Sequence, residues 1–265
     1  MPTIELASAR IEYQWVGLDR HADAQAPLLV FLHEGLGSTA MWKHFPETLC
    51  RAGGFCGLVY SRYGYGQSTP RPPDQLWQPL HLQTQADQLV ELLVALGLAP
   101  EQREPWLFGH SDGGSIALLY AAQNPHTTAG LIVLAPHVMV EPICINAIQS
   151  AVRAYAQTPL REKLSPFHAD VDSAFGGWSG MWLNPAFAAW NMQDIQAALP
   201  HIVCPILAVQ GHDDAYGTMA QIDRIKMAAP HTQLLKIPDC GHSPHRDAAA
   251  LVIEKVVSWV HGFTA

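Results

Sequence analysis

The chain has 265 residues, a hydrophobic share of 49% against 14% charged residues, and a formal net charge of −8. That balance can build one large α/β domain, or one domain carrying an insertion, and it excludes a disordered chain. The acidic balance argues against nucleic acid or an anionic membrane as partner, and no apolar run nears the ~20 residues of a membrane span.

Residues 1–10 lack a basic region followed by an apolar core, so no signal peptide is expected. The five cysteines are scattered without a CxxC pair and read as reduced thiols, which together points to a cytoplasmic protein. Residues 3–6 and 10–16 alternate well enough for two antiparallel edge strands. The continuous apolar run at 26–33 predicts a strand covered on both faces. A helix is expected over 41–51 and a buried strand over 57–61, followed by a loop rich in glycine and proline through Pro79. Apolar residues at helical spacing over 84–96 stop at Gly97. The run Trp106-Leu-Phe108 then meets Gly109-His110-Ser111-Asp112-Gly113 and a small-residue amphipathic segment, which reads as strand, abrupt turn, helix. Another buried strand follows at 130–136.

This alternation implies a mostly parallel central sheet with helices on both faces, an α/β fold. It breaks over 138–203, where no strand is convincing and the aromatics Phe167, Phe175, Trp178, Trp182, Phe187 and Trp190 cluster. The core pattern resumes at 205–210 and 233–237, and an amphipathic helix closes the chain over 248–260. The expected organisation is a core of residues 1–137 and 204–265 with a helical cap, 138–203, inserted between them.

A serine on a strand-to-helix turn is held out at the sheet edge above the positive end of the helix, which makes Ser111 a candidate nucleophile. The alternative is a helix-capping serine in a glycine-rich loop. A serine hydroxyl is a poor nucleophile at neutral pH and needs a base and a group to orient that base. His242, in Asp239-Cys-Gly-His-Ser-Pro-His245, is the base candidate, because it follows a glycine at the start of a loop beyond a strand; His245 competes with it. The acid is expected in Gly211-His-Asp-Asp214, with Asp213 and Asp214 both available. The oxyanion of acyl transfer needs two backbone N–H donors. Asp112, at the helix start, would supply one, and the loop Glu34-Gly-Leu-Gly-Ser38 the other, from Gly35 or alternatively Glu34. Trp178, Trp182 and Trp190 are candidate walls of an apolar pocket, with sealing of the cap onto the core as their other reading.

These segments resemble the landmarks of the α/β-hydrolase superfamily, especially its small cap-bearing serine hydrolases. Leu32-His-Glu-Gly-Leu-Gly37 resembles the oxyanion loop, and Ser61-Arg-Tyr-Gly-Tyr-Gly-Gln-Ser68 the Asp-Arg-x-Gly-x-Gly-x-Ser segment. Gly109 to Gly113 matches the nucleophile elbow, Gly211 to Asp214 the acid turn and Gly241-His242 the histidine loop. The resemblance implies the α/β-hydrolase fold, a catalytic triad of Ser111, Asp214 rather than Asp213, and His242, and substrate entry between core and cap. Two positions depart from the pattern: Glu34 stands where glycine is usual, and Asp112 where an apolar residue or Gln is common. Two carboxylates beside an oxyanion are expected to disfavour an anionic acyl group and to suit a polar or cationic one.

The expected activity is hydrolysis of a small carboxylic ester or lactone through an acyl-enzyme. C–C cleavage of a vinylogous diketone is the main alternative, although Ser243 replaces the tryptophan usual there. An aminopeptidase or amidase ranks lower, because His33-Glu-Gly-Leu-Gly37 lacks the residues of His-Gly-Gly-Pro-Gly. A binding protein that kept the pocket without turnover is the rival from another class. No cofactor and no metal are expected: His242 and His245 form an HxxH without the helix and glutamate of zinc peptidases. The expected partner is a small-molecule substrate, and a homodimer is compatible with the sequence.

Overall fold

The computed structural model describes residues 1–19, 26–72, 74–98 and 103–264, with the side chains of 190–192 set apart from that description. The alternating N-terminal segments pair as antiparallel strands β1 (Thr3–Glu5) and β2 (Arg10–Gly17). Each continuous apolar run becomes a strand buried along its length: β3 (Leu28–Leu32), β4 (Cys56–Tyr60), β5 (Trp106–His110), β6 (Gly130–Leu134) and β7 (Ile206–Gly211). The part-exposed β8 (Gln233–Ile237) forms the far edge. Among the described residues these strands make one eight-stranded sheet in the order β1-β2-β4-β3-β5-β6-β7-β8. Pairing is antiparallel from β1 to β4 and parallel from β4 to β8.

The two-residue period of a strand sends neighbouring side chains to opposite faces. Val30 and Leu32 join Leu131 and Val133 in one core, while Leu29, Phe31, Ile132 and Leu134 enter a second core across the sheet. Helices α1 (Phe45–Gly53), α2 (His81–Ala95) and α3 (Asp112–Gln123) follow β3, β4 and β5. Between β6 and β7 run α4 (Pro142–Gln157), α5 (Leu160–Leu164), α6 (Val171–Trp182) and α7 (Pro185–Ala198), with no strand among them. The chain ends with α8 (Ala220–Ala228), α9 (Pro244–Asp247) and α10 (Ala249–Thr264). Leu49 of α1 and Val252, Val256 and Val260 of α10 cover one face; Leu89 of α2, Ile116 of α3 and Ile222 of α8 cover the other.

Three elements differ from the sequence expectation. Thr39–Trp42 is a 3-10 turn, and Lys43 at φ 53° breaks the backbone, so α1 begins at Phe45 with Pro46 in its first turn. Helix α2 begins at His81, three residues before the expected start. Helix α8 was not foreseen, because only Ile222 and Ile225 supply its buried apolar contacts. No helix among the described residues is long and apolar enough to cross a membrane.

Candidate active site

Four loops leave the carboxyl ends of β3, β5, β7 and β8 on the same edge of the sheet, which is where ligands bind in open α/β sheets. They carry Glu34 and Gly35, Ser111, Asp214, and His242 respectively.

Ser111 joins β5 to α3 at φ 54° and ψ −119°, a left-handed conformation that costs a non-glycine residue about 1–3 kcal/mol. The turn is held by the Ser111 N–H donating to the Leu134 carbonyl at 2.9 Å. Close approach also demands the neighbouring glycine, since a Cβ on Gly113 would overlap the Leu32 carbonyl oxygen. The hydroxyl makes no capping hydrogen bond to α3, which removes the interaction that the capping alternative requires.

That hydroxyl lies 3.0 Å from His242 Nε2, and His242 Nδ1 lies 2.8 Å from both carboxylate oxygens of Asp214. An ionised carboxylate only accepts, so Nδ1 carries the ring proton and Nε2 presents its lone pair to the serine hydroxyl. Asp214 is buried and also accepts from Gln210 Nε2 at 2.7 Å and from the Tyr216 N–H at 2.7 Å. Burial pushes its pKa up, but the His242 hydrogen bond, the His242 charge and the Tyr216 N–H outweigh it and hold the carboxyl below its ordinary value. Asp213 is exposed, and its N–H is tied to the Cys240 carbonyl. His245 is buried under the site against Trp42, Phe45 and His110, with neither ring nitrogen hydrogen-bonded.

The loop after β3 is fixed through one carbonyl. Glu34 O accepts from His33 Nδ1 at 2.7 Å, Arg62 Nη2 at 2.9 Å and the Gly37 N–H at 3.0 Å. A trans peptide places its N–H opposite its carbonyl, so the N–H of Gly35 faces away from those three donors. The N–H of Asp112 belongs to the first turn of α3, whose donors have no partner within the helix.

A cavity of about 220 Å³ opens over Ser111, with Gly35, Asp112, Trp178, Trp182 and His242 among its walls. Glu34 borders it too, but its carboxylate curls toward His110 Nδ1 at 3.5 Å and Arg246 Nη2 at 3.7 Å. Burial would raise the Glu34 pKa; the His110 ring beside it outweighs this and holds it below the carboxylate range. Trp182 donates from Nε1 to Asp112 Oδ1 at 3.1 Å. Trp190 lies on α7, and its side chain falls outside the described residues. No His, Cys, Asp or Glu group suited to a metal ion occurs among the described residues.

Sequence reasoning missed two imidazoles here. His110 Nε2 donates to the His242 carbonyl at 2.7 Å and so supports the histidine loop from below. His137, 5.8 Å from the His242 ring, borders the cavity. His110 is the last residue of β5 and His137 lies three residues beyond β6, which is the signal available.

The sequence profile described as the alpha/beta hydrolase family matches residues 29–255. The chain is 24% identical over 270 residues to the sn-1-specific diacylglycerol lipase ABHD11 of Mus musculus, covering 90% of this chain and 82% of that one. It is 28% identical over 249 residues to the 2-succinyl-6-hydroxy-2,4-cyclohexadiene-1-carboxylate synthase of Enterobacter sp. (strain 638), covering 85% and 88%. The crystal structure of the enol-lactonase from Burkholderia xenovorans LB400 superposes with a TM-score of 0.72 at 18% identity, over 98% of this chain and 100% of that one.

Proposed function

The chain belongs to the alpha/beta hydrolase family, and on that premise we propose that it is a serine hydrolase cleaving a small carboxylic ester or lactone through an acyl-enzyme. One observation carries the reading: Ser111 Oγ, the His242 ring and the Asp214 carboxylate form a continuous hydrogen-bonded chain at the mouth of a largely apolar cavity. The named activities of the mouse lipase and the bacterial enol-lactonase support an ester or lactone as the bond class.

His242 Nε2 takes the Ser111 proton as Oγ bonds to the carbonyl carbon, and the electron pair moves onto the carbonyl oxygen. The Gly35 and Asp112 N–H groups are the proposed donors to that oxyanion, each worth about 3–4 kcal/mol in the transition state. Collapse breaks the C–O bond, and the departing alkoxide takes the proton from His242. Water then attacks the acyl-enzyme with His242 again as base, releasing the acid and restoring Ser111. Asp214 keeps the ring in the tautomer this cycle needs. Helices α4 to α7 act as the cap in this reading, since Cys144 and Ile148 of α4 and Trp178 and Trp182 of α6 roof the cavity.

Turnover of a panel of short esters, lactones and a vinylogous diketone tests the reading, with Ser111→Ala as control. At least one ester or lactone is expected to turn over, and the variant is expected to lose about a thousandfold or more in kcat. Ester turnover undiminished in Ser111→Ala, or turnover of the diketone alone, would overturn it.

A further inference from the structure

Asp112 is a carboxylate in a place where the proposed chemistry has no use for one. It is 1% exposed, yet it borders the cavity beside Ser111. Oδ1 is occupied by the Trp182 indole N–H, and Oδ2 has no hydrogen-bond partner among the described residues. That free oxygen lies 3.1 Å from the point a Cβ on Gly35 would occupy, and so sits beside the proposed oxyanion site. A buried acceptor left unpaired is costly, and a negative charge there opposes the charge that develops on the carbonyl oxygen. Glu34 shows neither problem, because His110 and Arg246 face its carboxylate. Only one of the two unusual carboxylates therefore lacks a partner of its own.

We propose that Asp112 Oδ2 is a specificity element that receives a hydrogen-bond donor carried by the acyl group of the substrate, on the first or second carbon from the carbonyl. The inference rests on the serine-hydrolase reading and names its substrate class: short 2- or 3-hydroxy or amino acyl esters rather than plain ones. Hydroxyl and ammonium groups share the donor that the oxygen lacks. Trp182 holds the carboxylate by its other oxygen; Oδ2 is itself buried, and a donor reaches it as the substrate seats against the cavity wall. Burial raises the pKa of Asp112 above that of an ordinary aspartate, against the lowering charge of Arg62 and the Trp182 bond, so a donor from the substrate replaces solvation the cavity does not provide. Glu34, His137, Tyr216 and Ser243 also border the cavity, so the dependence of the preference on Asp112 is what the test isolates.

The test compares ethyl butyrate, ethyl 2- and 3-hydroxybutyrate, the matching methoxy esters and alanine ethyl ester. The wild type and Asp112→Asn are assayed for kcat and KM, and fluorophosphonate labelling of Ser111 serves as an independent readout. The wild type is expected to favour at least one donor-bearing ester by about tenfold or more in kcat/KM over its plain and methoxy counterparts. Asp112→Asn is expected to cut that preference to about twofold, read as the ratio of kcat/KM between donor-bearing and plain esters within the variant, whatever its absolute rates. The hydroxy and amino arms report which donor the site takes. Equal treatment of donor-bearing and plain esters by the wild type overturns the inference while leaving the hydrolase reading intact, as does a preference that survives in Asp112→Asn. Absent labelling of the wild type fails the hydrolase reading instead. Calorimetric binding of the same esters to Ser111→Ala, with and without Asp112→Asn, then decides the inference without turnover: a preference for donor-bearing esters that depends on Asp112 supports it, and none overturns it.

Discussion

At the scale of single residues, the site separates side chains that look interchangeable in the sequence. Asp213 and Asp214 are adjacent carboxylates on one turn, yet one points into solvent and the other is buried against His242. The difference arises from the backbone, because the Tyr216 N–H at 2.7 Å and the Gly217 N–H at 3.3 Å both converge on Asp214 Oδ1. Asp214→Asn would offer an amide that can donate to the ring, which favours the tautomer with its proton facing Ser111. A loss of about ten-thousandfold in kcat is expected from that change, whereas Asp213→Asn should stay within about twofold, an exposed substitution of this kind being nearly neutral. Steady-state kinetics on one ester distinguish them, and a comparable loss in both variants would reject this division of roles. Histidines 242 and 245 separate in the same way: Trp42 and Phe45 enclose the second in an apolar pocket, and the first reaches the serine.

At the scale of elements, what could be read from the chain was what local backbone chemistry dictates. The apolar runs of β3 to β7 and the glycine-flanked turn at Ser111 are such features, and so are the ends of β7 and β8 where acid and histidine emerge. Pairings between distant segments were hidden. Nothing in the neighbourhood of Glu34 reveals that His110 and Arg246 take its carboxylate, and nothing near Asp112 reveals the Trp182 indole. Helix α8 was hidden for another reason, since two buried isoleucines are too few to set a period. The clasp that holds the inserted helices to the sheet edge is also long-range. His168, just before α6, accepts the Gly66 N–H on Nδ1 at 3.1 Å and donates from Nε2 to the Leu36 carbonyl at 3.1 Å. The Ala169 N–H adds a 2.7 Å bond to the Gly66 carbonyl. His168→Ala leaves one buried and one half-buried backbone group without partners, for an expected loss of about 1–3 kcal/mol in denaturant unfolding. Because Leu36 follows Gly35, KM for esters should rise as well. A loss below about 0.5 kcal/mol would mean that the clasp contributes little.

At the scale of the whole molecule, the histidines set how stability depends on pH. His33, His81, His137, His168 and His245 are all buried, and for each burial is the largest cause of a pKa below the ordinary value. The Arg62 charge adds to the lowering at His33 and His81, the His242 charge at His137, which falls to about 3, and the His110 charge at His245, which falls to about 2. His168 shows the structural reason for staying neutral, because protonated Nδ1 could no longer accept from Gly66. An unfolded chain protonates these rings near pH 6.5, while the folded chain resists. Between that pH and the lowered values the unfolded state binds more protons, so stability is fully present above about pH 6.5 and drains away as pH falls. Each fully neutral ring contributes up to about 1.4 kcal/mol per pH unit in that window. Asp112, whose pKa is raised, pulls the other way, but it is one group against five. The expected outcome is a melting temperature that is level from pH 8 to 7 and falls steeply from about pH 6 toward 4.5, measured by calorimetry at constant ionic strength. His168→Gln should retain one of the two clasp bonds and make the fall less steep, since a glutamine does not titrate. A melting temperature unchanged between pH 7 and 5 would mean that these rings are not held neutral in the folded chain.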